Sequence, residues 1–312
     1  MTPDSTGVLL TVLTATYNRR HTLPRLYQSL VRQTCHEFEW LIVDDGSTDG
    51  TRELVEGWQR ECRAFPIRYH WKPNGGKHTA HNLGVDLARG TYCSVIDSDD
   101  WFAPDGIEKL LAQWRSLPPS MRSRFVSVEG LCATEDGTLI GSEFPADVFD
   151  SDSFAITLQR AVDGDTKGMC RTEVLREFRF PEAPGTRFVP EALVWNRIAQ
   201  RYRTRFINVV VAYNEYLTGG LSQQRASGLL LAPAASLTYN AEILGMARPL
   251  PAKVKARSGA NYTRFSLHQR VGVLDLLREA PRRGWVMATF FVGCALYLAD
   301  LRRAARHGSR AQ

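Results

Sequence analysis

The sequence predicts an α/β protein in which a mostly parallel sheet flanked by helices is followed by a helical C-terminal extension. Two observations support this fold class. Apolar runs rich in β-branched residues alternate with helical patterns four times between residues 8 and 115. Several of these runs end in polar or acidic residues, as expected where parallel strands present ligand-binding groups at their carboxyl ends. Right-handed crossovers bring such ends to one edge of a sheet.

The first strand is predicted over Val8–Thr16, which is rich in Leu and β-branched residues. The N-terminus lacks the basic region of a signal peptide, so we interpret this apolar run as a strand and expect no export. From Thr22 to Gln33, apolar residues recur at spacings of three and four, which predicts a helix packed on the sheet.

The second strand, Phe38–Val43, also ends in acids. We expect Ser47 or Thr48 to cap the helix that follows, which leaves at least one acid free for another role. A carboxylate such as that of Asp45 accepts two hydrogen bonds at this strand end. It therefore suits the N–H of a uracil base or a ribose hydroxyl.

A third strand is predicted over Ile67–Trp71, and the segment Asn74–His78 opens the next helix. Its paired glycines let the backbone approach a ligand closely, and Lys77 at a helix N-terminus favours an anion such as pyrophosphate. A plain turn with a solvated lysine is the alternative, and the P-loop pattern is absent. For the three polar residues on one helical face we expect surface or hydrogen-bonding roles rather than a zinc site. These residues are His78, His81 and Asn82.

The fourth strand, Thr91–Ile96, breaks into three carboxylates, Asp97, Asp99 and Asp100. Acids gathered at this end of a strand can hold a divalent cation against a phosphorylated ligand. One of them could instead cap the helix that Pro104 opens. Three acids exceed the need of a cap and would repel one another without a cation, so the pattern favours a cation site.

The second half of the chain is less regular. Phe125–Cys132 and Arg205–Tyr213 are predicted strands, and a helix is expected near residues 171–178. The segment 144–152 is predicted as a loop, and the Gly- and Asp-rich segment Val162–Met169 has no assigned structure. Loops at residues 181–186 and 218–222 are expected to be mobile.

Glu191 lies at the entrance of a predicted helix. A carboxylate there is an ordinary helix-dipole residue, and it is also a candidate general base if its neighbours desolvate it. The predicted organisation is a catalytic domain followed by a basic helical extension. The predicted ranges are 1–225, divided into 1–115 and 116–225, and 226–312.

Composition is that of a globular protein: 312 residues, 44% of them hydrophobic, with a net charge of +6. The charge is uneven, because residues 248–312 carry 13 Lys or Arg and only 3 Asp or Glu. This predicts an acidic partner, and the acidic body gives no support for nucleic acid. The six cysteines show no metal-ligand or disulfide spacing, so we expect reduced thiols in a cytoplasmic protein.

The C-terminal region is predicted to be helical around residues 229–247, 262–279 and 285–304. The uncharged run Trp285–Ala299 is shorter than the roughly 20 residues of a membrane span. Basic clusters alternate with apolar faces in the last two helices. This pattern favours helices lying on a membrane surface, and docking on the catalytic domain is the alternative.

Four segments together resemble the inverting GT-A glycosyltransferases of family 2, in order and spacing, over about residues 8–115. They are TATYNRR (Thr14–Arg20), FEWLIVDDGSTDGT (Phe38–Thr51), NGGKHTAHN (Asn74–Asn82) and SVIDSDDWFAPD (Ser94–Asp105). A looser resemblance continues through GDTKGM (Gly164–Met169) and FVPEALVWNRIA (Phe188–Ala199).

The resemblance implies a GT-A fold, a nucleotide-sugar donor site and Mg²⁺ or Mn²⁺ as cofactor. The second aspartate of VDDGS, Asp45, is then the residue that holds the nucleobase, and Asp99 and Asp100 are metal ligands. Glu191 becomes the favoured base, although many relatives have an acidic pair where Pro190 and Ala192 flank it. The implied donor-binding residues are Thr16, Tyr17, Asn18, Asp45, Lys77, Asp97, Ser98 and Asp99.

The expected function is transfer of a sugar from a UDP-sugar to a hydroxyl of a glycan, lipid-linked or small-molecule acceptor. The expected location is the cytoplasm, with peripheral contact at the inner face of the membrane. A sugar nucleotidyltransferase and a non-catalytic nucleotide-sugar-binding protein are the alternatives. A dinucleotide dehydrogenase is disfavoured because no GxGxxG follows the first strand.

Overall fold

The computed structural model describes residues 8–152, 154, 156, 164–182, 186, 188–215 and 232–308. The chain divides into two compact units. The first consists of Met1–Arg187 with Val194–Thr218, and the second of Phe188–Leu193 with Gly219–Gln312. The boundary predicted at residue 225 and the predicted mobile loop at 218–222 lie outside the described residues, as does part of the loop at 181–186.

Strands of the first unit form a single mixed sheet. They are β1 (Leu10–Thr16), β2 (Phe38–Asp44), β3 (Ile67–Trp71), β4 (Tyr92–Val95), β5 (Trp101–Phe102), β6 (Phe125–Ala133), β7 (Val148–Ser151), β8 (Thr166–Arg171) and β9 (Arg203–Tyr213). Their order is β3-β2-β1-β4-β8-β6-β9-β5, with β7 paired to β9. The predicted parallel arrangement is confirmed for β3, β2, β1 and β4.

Beyond β4 the strands of the sheet are no longer all parallel. Strand β8 pairs antiparallel with β4 and β6, and β5 and β7 pair antiparallel with β9, whereas β6 and β9 are parallel. The prediction of a loop over 144–152 is wrong where β7 lies, and β8 occupies part of the segment left unassigned. Both strands contain charged or glycine residues and lack the apolar run of a buried strand, which explains why the sequence pattern missed them.

The helices of the first unit cover both faces of the parallel strands. They are α1 (Leu23–Val31), α2 (Thr51–Glu61), α3 (Lys77–Leu87), α4 (Gly106–Ser116) and α5 (Thr172–Glu177), with α6 (Ala192–Ala199) beginning in the second unit. Leu10 and Val12 of β1 join one core with α1, α2 and α4. Leu13 points to the other face, where a Cβ on Gly84 of α3 would lie 2.2 Å from its Cδ1 atom. Because both faces of β1 are covered, nearly all its residues are buried.

The predicted cap of α2 is wrong. The helix begins at Thr51 and Gly50 is its N-cap, with a φ of 82° that favours glycine. Asp49 accepts hydrogen bonds from the backbone N–H and the hydroxyl of Thr51. Ser47 instead contacts Asn18 in the neighbouring loop.

The second unit is helical. Its described helices are α7 (Pro233–Gly245), α8 (Ala252–His268), α9 (Val273–Glu279) and α10 (Arg283–Gly308). The segment predicted as one helix over 262–279 is two, because the chain turns at Arg270, whose φ is 58°. A small core joins these helices through Leu244, Tyr262, Leu276 and Val286. The six cysteines form no disulfide.

Candidate functional site

The carboxyl ends of β1, β2 and β4 meet at one edge of the sheet. Thr16 is in register with Asp44, so β1 and β2 end at the same level, and β4 ends at Val95 opposite Leu13, three residues before the end of β1. The N–H of Asp45 donates to the carbonyl of Thr16 over 2.8 Å. The loops that follow these three strands carry three of the four segments of the family resemblance, and they therefore leave neighbouring strands on the same side of the sheet.

The loop after β1 is fixed to the loop after β2. The N–H of Asn18 donates to Ser47 Oγ, and the N–H of Thr48 donates to Asn18 Oδ1, each over 2.8 Å. Asn18 has a φ of 52°, a conformation that asparagine tolerates better than most residues. Thr16 is buried, whereas the ring of Tyr17 is 51% exposed and available to a ligand.

The carboxylate of Asp45 is buried and accepts three hydrogen bonds. Its donors are Lys72 Nζ at 2.6 Å and the backbone N–H groups of Gly75 and Gly76 at 2.9 and 2.7 Å. Gly76 is the N-cap of α3 and has a φ of 98°, a region open to glycine. Asp45 thus fixes the turn at the start of α3, and by count it keeps one acceptor position for a ligand.

The acids after β4 form a tight turn. The N–H of Asp100 donates to the carbonyl of Asp97 over 3.1 Å, the hydrogen bond of a β-turn, and Ser98 is buried within it. Helix α4 begins later, at Gly106, with Asp105 at its N-cap. The alternative in which one of the clustered acids caps this helix is therefore excluded.

Two lysines neutralise two of the three acids. Lys77 Nζ lies 2.5 Å from Asp97 Oδ1. Lys167 Nζ, on β8, lies 3.3 Å from Asp97 Oδ2 and 2.8 Å from Asp100 Oδ2. The Lys167 side chain is only 15% exposed, so it is an internal cation of this site. No role for Lys167 was predicted, because its acidic partners are about 70 residues away in the chain.

Burial and these ion pairs shift the ionisation of the cluster. Burial opposes the charge of Asp97, but Lys167 and Lys77 outweigh it and lower its pKa. Burial raises the pKa of Asp100 to about 6, with Lys167 acting against the rise and the Asp97 charge adding to it. For Lys167 burial opposes the charge, yet Asp97 and Asp100 keep its pKa well above the usual value.

Asp99 differs from its neighbours. Within the described residues its partly buried carboxylate makes no hydrogen bond or ion pair, while its backbone carbonyl accepts from Arg25 over 3.1 Å. No group of three or more His, Cys, Asp or Glu side chains able to hold a metal occurs in the described part of the chain. The donor set fits a Mg²⁺ or Mn²⁺ ion bound by one carboxylate together with phosphate oxygens, which is how Mg²⁺ usually binds. Asp99 fits that ligand position, whereas Asp100 is paired with Lys167.

The polar face of α3 is buried, so of the two roles expected for its residues the surface position is wrong, and the hydrogen-bonding role is confirmed for Asn82. Asn82 donates to the carbonyl of Phe180 and to Glu182, and it accepts from the N–H of Phe180. His78 is 4% exposed, and neither ring nitrogen has a hydrogen-bond partner among the described residues. Burial lowers the pKa of His78, although Glu182 and Asp45 act in the opposite direction.

His78 makes a testable contribution to pH-dependent stability. Its lowered pKa means that the unfolded chain binds a proton more readily, so its stabilising contribution is full above pH 6.5 and falls at lower pH. We expect His78→Gln to reduce the slope of the unfolding free energy against pH. The reduction corresponds to at most one proton, or about 1.4 kcal/mol per pH unit. Urea unfolding at several pH values measures it. His70→Gln, which removes an exposed imidazole, is the control, and an unchanged slope in His78→Gln would contradict the assignment.

Glu191 lies directly before α6, as predicted, and its side chain is exposed. It belongs to the second unit. Its role as a base stays a prediction from the family resemblance, as do the roles of the donor-binding residues.

Comparison with known proteins supports the resemblance. Residues 11–131 match the model of glycosyl transferase family 2. The putative teichuronic acid biosynthesis glycosyltransferase TuaG of Bacillus subtilis (strain 168) is 34% identical over 103 residues, which cover 33% of this chain and 40% of TuaG. The chain spans a smaller part of other curated relatives, for example 11% of the chondroitin synthase of Pasteurella multocida (strain Pm70), which is 34% identical over 106 residues.

Solved structures resemble the chain along most of its length. S. aureus TarS 1–349 in complex with UDP-GlcNAc has a TM-score of 0.60 at 17% identity, covering 96% of this chain and 92% of that one. The mannosyltransferase PcManGT from Pyrobaculum calidifontis, in complex with GDP-Man and Mn²⁺, has a TM-score of 0.57 at 18% identity, covering 93% and 87%. The GT-A fold is confirmed, and the match to the family 2 model covers residues 11–131.

Proposed function

We propose that the chain is a metal-dependent glycosyltransferase that moves a sugar from a nucleotide-diphosphate donor to an acceptor hydroxyl with inversion at the anomeric carbon. The observation that carries the proposal is that three segments contact one another at the carboxyl ends of β2, β1 and β4. Asp45 binds the Gly75–Gly76 turn, and Lys77, which follows this turn, pairs with the Asp97–Asp100 turn. In open α/β sheets, ligands bind at this edge.

The donor diphosphate has an electrostatic reason to bind beside Lys77. This lysine is the first residue of α3, whose N-terminus carries partial positive charge, and its side chain is 37% exposed. The ammonium group of Lys77 is paired with Asp97 and is therefore held near the acidic turn. A diphosphate that binds there contacts a cation whose position is already fixed.

A divalent ion would be held by Asp99 and by oxygens of the donor. When bound, it neutralises negative charge on the departing diphosphate. Lys77 and Lys167 balance the charges of Asp97 and Asp100, so among the described residues of this turn Asp99 is the carboxylate left unpaired. Such a site has little affinity for metal alone, and we expect metal and donor to bind together.

The proposed reaction is a single displacement. The acceptor oxygen forms a bond to the anomeric carbon while the bond from that carbon to the diphosphate breaks, and the nucleoside diphosphate leaves with the bonding electrons. Glu191 takes the proton of the acceptor hydroxyl. A single displacement inverts the configuration, and no covalent glycosyl-enzyme forms.

The donor is proposed to be a UDP-sugar. TarS binds UDP and UDP-GlcNAc, whereas PcManGT binds GDP-Man, so the fold accommodates both nucleotides. The acceptor is proposed to be a glycan, a lipid-linked intermediate or a small molecule.

A thermal-shift panel of nucleotide sugars, with and without Mn²⁺, tests the donor site, because a bound ligand stabilises the fold by mass action. We expect the true donor to raise Tm only when Mn²⁺ is present. Product analysis then tests the reaction: a nucleoside diphosphate and an inverted glycoside support the proposal. Release of pyrophosphate would indicate a nucleotidyltransferase, and retained configuration would refute the single displacement.

The Glu191→Gln substitution separates an enzyme from a nucleotide-sugar-binding protein. We expect it to lower kcat about a hundredfold or more, because a positioned base contributes at least that much, while the donor-induced shift in Tm stays unchanged. Initial rates at saturating donor measure the effect. Glu135→Gln, at an exposed turn, is a control, and an unaltered rate in Glu191→Gln would remove Glu191 from the mechanism.

A further inference from the structure

An exposed apolar face runs along α10 in the second unit. Its exposed side chains recur at spacings of three and four and include Met287 at 62%, Phe291 at 84% and Leu298 at 51%. Only 17% of an apolar stretch of 18 residues within Arg283–Arg303 is buried. Soluble proteins rarely leave a contiguous apolar surface of this kind without a partner.

The opposite face of α10 packs against α8. A Cβ on Gly293 would lie 2.5 Å from the carbonyl oxygen of Ala260, so the two helices approach closely there. Further along, Asp300 is buried and paired with Arg264 over 2.6 and 2.7 Å. One face of α10 is therefore packed within the unit, and the exposed apolar residues lie on the other face.

The segment Arg283–Arg303 is long and apolar enough to cross a membrane, with a mean hydropathy of 1.6. Its packing favours a different placement. If it spanned a bilayer, the part of α8 that packs along it between Trp285 and Asp300 would lie in hydrocarbon, together with the polar side chains of Asn261, Arg264 and His268. Charged side chains are costly at that depth. A helix that keeps one face on α8 can instead rest its other face on the membrane surface.

Arginines bound the exposed face at both ends. Arg283 precedes it, Arg302 and Arg303 follow it, and all three are exposed, whereas the guanidinium of Arg282 donates to the carbonyls of Leu244 and Met246. Between Met287 and Leu301 the apolar face is about 21 Å long at the usual rise of a helix. Apolar side chains flanked by cations match the boundary between acyl chains and anionic headgroups.

We propose that this face of α10, from Met287 to Leu301, docks the protein on the surface of an anionic membrane. The charge of the region favours lipid over a second copy of the chain, because residues 248–312 carry 13 Lys or Arg and 3 Asp or Glu. A symmetric pairing of two such faces would bring basic ends together and would be opposed by repulsion. The proposal rests on the second unit alone and is independent of the transfer activity.

Vesicle flotation of the full-length chain tests the proposal. The wild type is expected to float with vesicles of phosphatidylcholine and phosphatidylglycerol, and much less with phosphatidylcholine alone. Phe291→Glu is expected to lower the partition coefficient about tenfold or more, because a large apolar contact is lost. Replacing Arg302 and Arg303 by Gln is expected to lower it about fivefold per arginine, with the effect vanishing at high salt.

The matched control is Val31→Glu, which places the same charge at a 42% exposed apolar position on α1 in the first unit. It is expected to leave flotation unchanged. Far-UV circular dichroism and Tm verify that each variant folds, and the arginine variant tests the proposal even if Phe291→Glu does not fold. Three results would overturn the proposal. The wild type could fail to float with the vesicles, or the vesicle-bound protein could resist carbonate extraction, as a membrane-spanning helix does. Light scattering could also show a dimer that Phe291→Glu dissociates, which would make a second copy of the chain the partner.

Discussion

The Lys167→Met variant is expected to lose about 3–5 kcal/mol of unfolding free energy, because the substitution leaves a buried carboxylate without its counter-charge. Lys167 Nζ is the partner of Asp100 at 2.8 Å and one of two partners of Asp97. Asp97 retains Lys77, so the cost falls mainly on Asp100, which is 8% exposed. Urea unfolding monitored by fluorescence measures the loss.

The pH dependence of this loss follows from the sign of the Asp100 shift. Burial raises the pKa of Asp100 to about 6 even with Lys167 present, and removing the ammonium group raises it further. A carboxyl with a raised pKa binds its proton more tightly in the folded chain, so its stability cost grows as pH rises through that pKa. The destabilisation of Lys167→Met is therefore expected to be larger at pH 8 than at pH 5.

Two variants control this experiment. Lys109→Met breaks an exposed pair with Asp105 one helical turn away, each side chain being 42% exposed, and should cost at most about 1 kcal/mol. Combining Lys167→Met with Asp100→Asn removes the unpaired charge and should recover part of the loss. Equal destabilisation at Lys109 and Lys167 would show that the internal cation has no special role.

The central parallel strands β1 and β2 were predictable because they are largely apolar runs, as expected where helices cover both faces of a sheet. Leu10 to Thr16 and Phe38 to Asp44 are of this kind. The antiparallel strands were not predictable in the same way. Strand β8 places Lys167 and Gly168 between β4 and β6, and its stability comes from pairing with those strands rather than from its own composition.

The strand-end acids were visible in the sequence, but their partners were not. Asp45 was expected to face a nucleobase, and the structure shows the same carboxylate fixing the Gly75–Gly76 turn with the help of Lys72. The local pattern also could not distinguish Asp99 from Asp100. Lys167 makes that distinction, because it pairs with Asp100 from a strand distant in the sequence.

The Asp99→Asn variant is expected to lose the metal-dependent part of donor binding and about a thousandfold in transfer rate. Charge neutralisation by a metal at a departing diphosphate is worth several kcal/mol, and each 1.36 kcal/mol corresponds to about a factor of ten in rate. Asparagine keeps the shape of the side chain and removes its charge. The expected loss therefore reports on the charge that binds the ion.

The comparison of Asp99→Asn with Asp100→Asn decides which acid is the ligand. Asp100→Asn is expected to keep the Mn²⁺-dependent shift in Tm on donor binding, because in the structure the Asp100 carboxylate pairs with Lys167. Asp105→Asn, at the exposed N-cap of α4, controls for removal of an acid near the turn. If Asp100→Asn abolishes the Mn²⁺ response and Asp99→Asn retains it, Lys167 must leave Asp100 when metal binds, and the proposed assignment of the ligand is wrong.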